Sequence, residues 1–207
     1  MTLPEGVQRR PFDGTECLAT RGPSIGDDPT DGEWRAWDPD RSKLAAMVEA
    51  GLDLPIAAGD PVLYLGAAAG TTASHVADIA PTYAVEFAPR PARDLVAVAR
   101  ERNRLFPLLA DARAPDSYAH VVEPVGTIVQ DVATRDQAGV ALANRQFLHD
   151  EGRLALAIKA RSVDVASDPE AVFEAVLADL REGYAILDRA RLDRHHDDHL
   201  GVIARPR

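Results

Sequence analysis

Residues 61–87 read PVLYLGAAAGTTASHVADIAPTYAVEF: an apolar run, a loop of glycine and alanine, a helical stretch and a second apolar run. Strand, turn of small residues, helix and parallel strand form the unit from which open α/β sheets are built. The pattern continues downstream. Strands are predicted at PVLYL (61–65), TYAVEF (82–87), LFPLLA (105–110), VGTIVQD (125–131) and GRLALAIKA (152–160), with helical patterns near 72–80, 90–103, 115–122 and 135–148. Beyond them, DPEAVFEAVLADLREG (168–183) reads as a helix opened by Asp168 and closed by Gly183. YAILDRARL and HLGVIAR follow, joined by the charged turn DRHHDD and close enough in sequence to pair as an antiparallel hairpin.

Upstream, WDPDRSKLAAMVEAGL (37–52) predicts a helix with Asp38 as N-cap, Pro39 in the first turn and Gly51 at the C-terminal end. GDDPTDGEW (26–34) reads as a loop, and VQRRPFDGTECLATRG (7–22) as short strands of a small subdomain. Residues 1–54 are therefore read as an N-terminal extension ending in a helix, and 55–207 as the sheet domain.

A chain of 207 residues with 46% hydrophobic content can bury a core of its own. The start, MTLPEGVQRR, has no apolar signal region and no run is long enough to span a bilayer, so a cytoplasmic location is expected. Cys17 is the single cysteine, which excludes an internal disulfide, and no Cys/His spacing suggests a metal site. The formal net charge of −10 argues against a protein that coats nucleic acid unaided. Of 23 basic residues, only Lys43 and Lys159 are lysines. Extra carboxylates suit a cytoplasm of concentrated salt, and a coding bias toward arginine explains the lysine depletion equally well. Under either explanation the two retained lysines stand out.

Ligands of open α/β sheets bind beyond the carboxyl ends of the strands. The first strand ends in Gly66-Ala67-Ala68-Ala69-Gly70-Thr71-Thr72, whose small side chains admit a ligand close to the backbone and to the free amides of a helix start. It is neither a P-loop nor a G-x-G-x-x-G fingerprint. The second strand ends in Glu86, twenty residues beyond Gly66, where an acid commonly binds the ribose hydroxyls of an adenosine cofactor. Asp111-Ala112 follows the third strand, placed for the adenine amino group; the fourth ends in Asp131 and the fifth in Lys159. Each alone reads equally well as a solvated turn residue or a helix cap. Four in succession point to an adenosine-containing cofactor. NAD would satisfy most of the set, but hydride transfer needs no lysine–carboxylate pair at these strand ends. Methyl transfer to a hydroxyl does, because the nucleophile must be aligned and relieved of a proton, and its oxyanion stabilised. A mainly parallel sheet ending in an antiparallel hairpin agrees, by analogy of fold, with a Rossmann-like class I methyltransferase using S-adenosylmethionine.

VLYLGAAAGTTASHVADI, YAVEF, LADAR, DVAT-R-DQ, IKARSVD and DDHLGVI, preceded by WDPDRSKLAA, resemble the fibrillarin family in order and spacing from about residue 33 to residue 207. The absence of a Gly/Arg-rich tail resembles the archaeal members. The resemblance implies an RNA 2′-O-ribose methyltransferase acting on rRNA, with tRNA as a second acceptor class, inside a box C/D ribonucleoprotein. A Nop-family scaffold protein, a guide RNA and a kink-turn-binding ribosomal protein are the implied partners. It also implies cofactor contacts from the Gly66, Ala67 and Gly70 loop, from Thr71 and Thr72, Glu86 and Phe87, Asp111 and Ala112, and Asp131 with Thr134. The implied catalytic tetrad is Lys43, Asp131, Lys159 and His199, so both lysines of the chain fall on it.

Three departures accompany the resemblance. Asp38 stands for the usual Asn, Thr134 stands where Gln is common, and the acidic surface differs from the basic one of many relatives. RNA contact is accordingly expected from a few arginines near the mouth, Arg41, Arg113 and Arg161, while His195 and His196 read as a solvated turn. A methyltransferase acting on a protein side chain or small molecule, and a catalytically silent assembly module, remain the alternatives.

Overall fold

The computed structural model describes residues 3–207. Seven strands form the main sheet: β5 (Val62–Leu65), β6 (Thr82–Glu86), β7 (Leu105–Leu109), β8 (Val125–Gln130), β9 (Leu148–Lys159), β10 (Tyr184–Arg191) and β11 (His199–Pro206). Their spatial order is β10-β11-β9-β8-β5-β6-β7. β5, β6, β7, β8 and β9 pair in parallel, and β11 enters antiparallel between β9 and β10. The order reverses at β5, so the crevice beyond β5 and β8 is the switch point where such sheets bind ligands.

Alternation along the strands builds two cores. On β5, Val62 and Tyr64 join one buried cluster, with Met47, Ile79 and Leu95 from α1 (Lys43–Glu49), α2 (Thr71–Ile79) and α3 (Pro89–Ala99). Leu63 and Leu65 join the other, with Ala141, Phe173 and Leu177 from α4 (Gln137–Asn144) and α6 (Pro169–Leu180). Helices thus cover both faces, which is why the parallel strands read as unbroken apolar runs. The remaining helix, α5 (Ala160–Val163), is a single turn directly after β9.

Three sequence expectations are corrected. α1 begins at Lys43, not near Pro39: Ser42 is the N-cap, accepting from Ala45 N–H at 3.2 Å, and Asp38 instead accepts from Asp40 N–H at 2.8 Å. Residues 115–122 form only a 3₁₀ turn, Pro115–Ser117, because Tyr118 plugs the core as a hydrogen-bond donor to Asn144 and Pro124 disfavours helix just before it. The expected loop at 26–34 contains β3 (Thr30–Asp31) and leads into β4 (Trp34–Trp37). With β1 (Gln8–Phe12) and β2 (Thr15–Arg21) these form an antiparallel sheet, β1-β2-β4-β3. Pairing with β2 and burial of Trp34 and Trp37 override the loop-like Gly/Asp composition.

That sheet is fastened to α2 by buried charge. Arg35, wholly buried, donates to Asp78 Oδ2 from Nε (3.0 Å) and Nη2 (2.8 Å), to Ser74 Oγ (2.8 Å) and to Asp28 Oδ2 (3.3 Å). Thr20 donates to Asp78 Oδ2 at 2.7 Å and accepts from His75 Nδ1 at 2.7 Å, while the His75 ring stacks on Trp37 at 5.1 Å. Burial and the nearby Arg35 hold His75 well below the ordinary histidine pKa. The helix that opens from the Gly66–Gly70 loop is therefore fixed along its far side.

Candidate active site

Beyond the carboxyl ends of β5, β6 and β8 lies a cavity of about 290 Å³. Gly66, Glu86, Phe87, Asp111, Ala112, Asp131, Thr134 and Lys159, all among the residues singled out in the sequence, line it. Gly66 has φ +83°, and a Cβ there would stand 2.8 Å from the Asp131 carbonyl oxygen. Only glycine lets the first loop lie against Asp131, the residue just past β8. Ala67 is buried beneath the loop, Gly70 caps α2, and Thr71 and Thr72 begin that helix; these four lie outside the cavity lining.

Glu86 accepts from two main-chain amides, Ala68 N–H at 2.9 Å and Ala88 N–H at 2.8 Å. A carboxylate has further lone pairs, so its acceptor capacity toward the cavity remains. Phe87 is 67% exposed and presents an apolar face to the same space. Asp111 is gripped by Arg113, whose Nη2 lies 2.6 Å from Oδ2 and whose main-chain N–H donates to Oδ1 at 2.9 Å. Those hydrogen bonds hold the Asp111 carboxyl below its usual range.

At the cavity's edge, two ammonium groups share one carboxylate. Lys159 Nζ lies 2.8 Å from Asp131 Oδ1 and also donates to the Asp131 main-chain carbonyl at 2.8 Å; Lys43 Nζ lies 3.4 Å from the same Oδ1. The three side chains are 15–21% exposed, enough to be reached and enough withdrawn from water to strengthen their mutual field. His199 sits directly opposite Lys159 in the β9–β11 register. Its Nδ1 donates to the Asp197 carbonyl at 2.6 Å, and burial lowers its pKa, leaving a neutral ring with a free Nε2 lone pair. Four separate elements, α1, the end of β8, β9 and β11, therefore bring the expected tetrad residues to one edge.

Several lining or supporting residues escaped the sequence reading. Ala68, Val85, Ala110, Val132, Ala133 and Val140 complete the cavity wall with Arg113, which was expected only as an RNA contact. Gln137, buried at the start of α4, donates to the carbonyls of Thr134 (3.1 Å) and Lys159 (3.0 Å), and its Oε1 accepts from Lys159 N–H (3.0 Å). Its presence at the end of DVAT-R-DQ was the available signal. Of the arginines expected to meet RNA, all three are ion-paired: Arg41 with Asp28, Arg113 with Asp111, and Arg161 with Asp198. Nor are His195 and His196 a free solvated turn, since each is bonded to the segment before α1.

The 6-7-5-4-1-2-3 arrangement of the main sheet, with its penultimate member reversed and its strand-end acids facing one cavity, defines a class I methyltransferase architecture. Within that class the chain belongs to the fibrillarin family, whose model matches residues 18–207. It is 62% identical, over 208 residues covering 100% of this chain and 99% of its relative, to the fibrillarin-like rRNA/tRNA 2′-O-methyltransferase of Haloarcula marismortui. It is also similar to the fibrillarin of a solved fibrillarin/Nop5p complex (TM-score 0.91, 37% identity, 100% of both chains). Aeropyrum pernix fibrillarin, solved with natively bound S-adenosyl-L-methionine, is similar too (TM-score 0.88, 41% identity, 99% of this chain and 96% of that one).

Proposed function

We propose that this chain is an RNA 2′-O-methyltransferase that uses S-adenosylmethionine and acts on rRNA, with tRNA as a second acceptor class. The observation that carries the reading is the shared carboxylate: Lys43 and Lys159 converge on Asp131 at the rim of the cavity. The cavity suits the cofactor, since Glu86 and Asp111 offer acceptors for ribose hydroxyls and an adenine amino group, and Gly66 lines it without a side chain. Gly66, Glu86, Phe87, Asp111, Ala112, Asp131 and Thr134 would hold it, with Ala67, Gly70, Thr71 and Thr72 shaping the loop and helix start beside them. S-adenosylmethionine supplies an electrophilic methyl group when bound.

The chain's own residues handle the acceptor. Two lysines on one aspartate leave uncompensated positive charge where a ribose oxyanion develops. Lys159 is assigned oxyanion stabilisation as the ammonium, with proton acceptance open to it only as the free amine; Asp131 is assigned its orientation, Lys43 the second positive charge, and the neutral His199 a place in substrate positioning or proton relay. Residues 1–54 are assigned to an N-terminal subdomain and 55–207 to the methyltransferase domain, a division supported by their separate sheets.

With a net charge of −10 and its candidate RNA-facing arginines already paired, the chain is ill suited to capture RNA alone. We therefore assign it a Nop-family scaffold, a kink-turn-binding ribosomal protein and a box C/D guide RNA as partners, the similarity to the fibrillarin of a Nop5p complex supporting the first. No helix among the described residues is long and apolar enough to cross a membrane, and we place the particle in the cytoplasm.

Methyl transfer from labelled cofactor to target RNA tests the reading, with and without scaffold and guide. Transfer should require both. Lys159→Arg should lose most of it while cofactor binding and assembly persist, because a guanidinium stays protonated and cannot occupy the same point. Activity of that variant within a few-fold of wild type would remove Lys159 from the chemistry.

A further inference from the structure

The turn between β10 and β11 is tied down on two sides. Asp198, at φ +56°, accepts from Ala160 N–H through its carbonyl (3.1 Å) and from Arg161 Nε through its carboxylate (2.7 Å), immediately beyond Lys159. On the other side His196 Nε2 donates to the Pro39 carbonyl at 2.8 Å, and His195 Nδ1 meets Asp40 Oδ1 at 2.7 Å. Pro39 and Asp40 belong to the short segment that runs through the Ser42 cap into Lys43. Residues more than 150 positions apart are thus joined beside the start of α1. A carbonyl oxygen only accepts, so His196 carries its proton on Nε2. Burial and the Lys43 charge favour the neutral ring, which lies 5.7 Å from that of His199.

The two lysines differ in how they are held. Lys159 is anchored by the Asp131 carbonyl and by Gln137 on both sides of its own peptide. Lys43 stands at the first position of α1, its Nζ at the longer distance of 3.4 Å from Asp131, on a helix outside the sheet. Burial of Leu44 to Val48 seats the helix itself, and the chain entering it is fixed by the Ser42 cap, held in turn by Trp37 Nε1 at 2.9 Å, by the Arg41–Asp28 pair and by the two histidines.

We propose that His196, seconded by His195, is a positioning residue for methyl transfer: it clasps the 38–42 segment to the β10–β11 turn and so sets Lys43 against Asp131, opposite Lys159. The inference rests on the methyltransferase reading and adds to it residues that act through Lys43 without touching substrate. A structural role alone would lower stability and leave the rate per folded site unchanged. A positioning role lowers the rate itself and depends on Lys43.

The test uses particles assembled with scaffold, kink-turn protein and guide RNA. Single-turnover methyl transfer is measured at saturating cofactor and target RNA and expressed per cofactor-binding site counted by calorimetry. His196→Ala should slow transfer about ten- to hundred-fold, with S-adenosylmethionine affinity and the concentration of RNA needed for half-maximal rate unchanged. His196→Gln, whose side-chain amide also reaches a carbonyl as donor, should recover to within about three-fold of wild type. His196→Asn, polar but shorter, should behave like alanine and replaces it if the alanine variant does not fold. In a Lys43→Ala background the His196 substitution should cost nothing further. A His196→Ala rate within two-fold of wild type, a glutamine variant no better than alanine, or additive losses with Lys43→Ala would each overturn the proposal. A wild-type particle inert toward RNA would instead overturn the functional reading, and the proposal with it.

Discussion

Gly66→Ala probes the contact on which the site's geometry rests, the first loop lying against the end of β8. A Cβ at Gly66 would stand 2.8 Å from Asp131 O, 3.0 Å from its carbonyl carbon and 3.1 Å from Val132 Cγ1. Left-handed backbone costs an alanine about 1–2 kcal/mol. Relieving the overlap means shifting the Asp131 main chain against its 2.9 Å bond to Leu65 O and the 2.8 Å bond it accepts from Lys159. Overpacking of this kind costs about 1–3 kcal/mol more. Gly59 supplies the control, because its φ is also +83° and a Cβ there meets nothing within 4 Å. Gly59→Ala carries the backbone effect alone, so the difference between the two variants isolates the collision. That difference should be about 1–3 kcal/mol, or roughly 2–12 °C in melting temperature for a domain of this size. Differential scanning calorimetry measures it directly, and titration with S-adenosylmethionine should show weakened binding in Gly66→Ala only. Equal melting temperatures, with full cofactor affinity in both variants, would mean that the loop does not bear on Asp131.

Glu86→Ala should weaken S-adenosylmethionine binding by about 1–3 kcal/mol, since it removes the acceptor assigned to the ribose hydroxyls and frees the Ala68 and Ala88 amides; unchanged affinity in calorimetry would take Glu86 out of the site. Arg35→Met should destabilise the fold by about 3 kcal/mol or more in chemical denaturation, because Asp78 and Asp28 would stay buried with only Arg102 and Arg41 near them. A loss below 1 kcal/mol would mean the cluster does not fasten the N-terminal sheet. His75, His196 and His199 all have folded pKa values below the unfolded one, so the unfolded chain binds protons first as pH falls. Their contribution is complete above the unfolded value near 6.5 and shrinks below it. Melting temperature should therefore fall between pH 7.5 and 5.5, less steeply in His75→Asn; a flat or rising profile would contradict the burial of these rings.

The main sheet, and the candidate residues at its strand ends, were legible in local pattern alone. Fully buried parallel strands must be apolar on both faces, so β5, β6, β8 and β9 are legible as runs, and a ligand edge must follow each run. Glu86, Asp111, Asp131 and Lys159 could be read at those ends because strand termini are local features. The scarcity of lysine then marked Lys43, on a separate element. The features that were not legible depend on partners distant in the chain. β4 exists because β2 pairs with it and Arg35 finds Asp78, neither of which the Gly/Asp-rich stretch announces. The segment at 115–122 has helical spacing but ends as a turn once Tyr118 meets Asn144. Three arginines that look free in sequence are neutralised by acids, two of them far along the chain from their partners. The turn at 193–198 looks solvated, yet it closes over Pro39 and Asp40. Local pattern fixes which face a residue presents and where a strand stops; which distant group it then meets is settled only when the chain closes on itself.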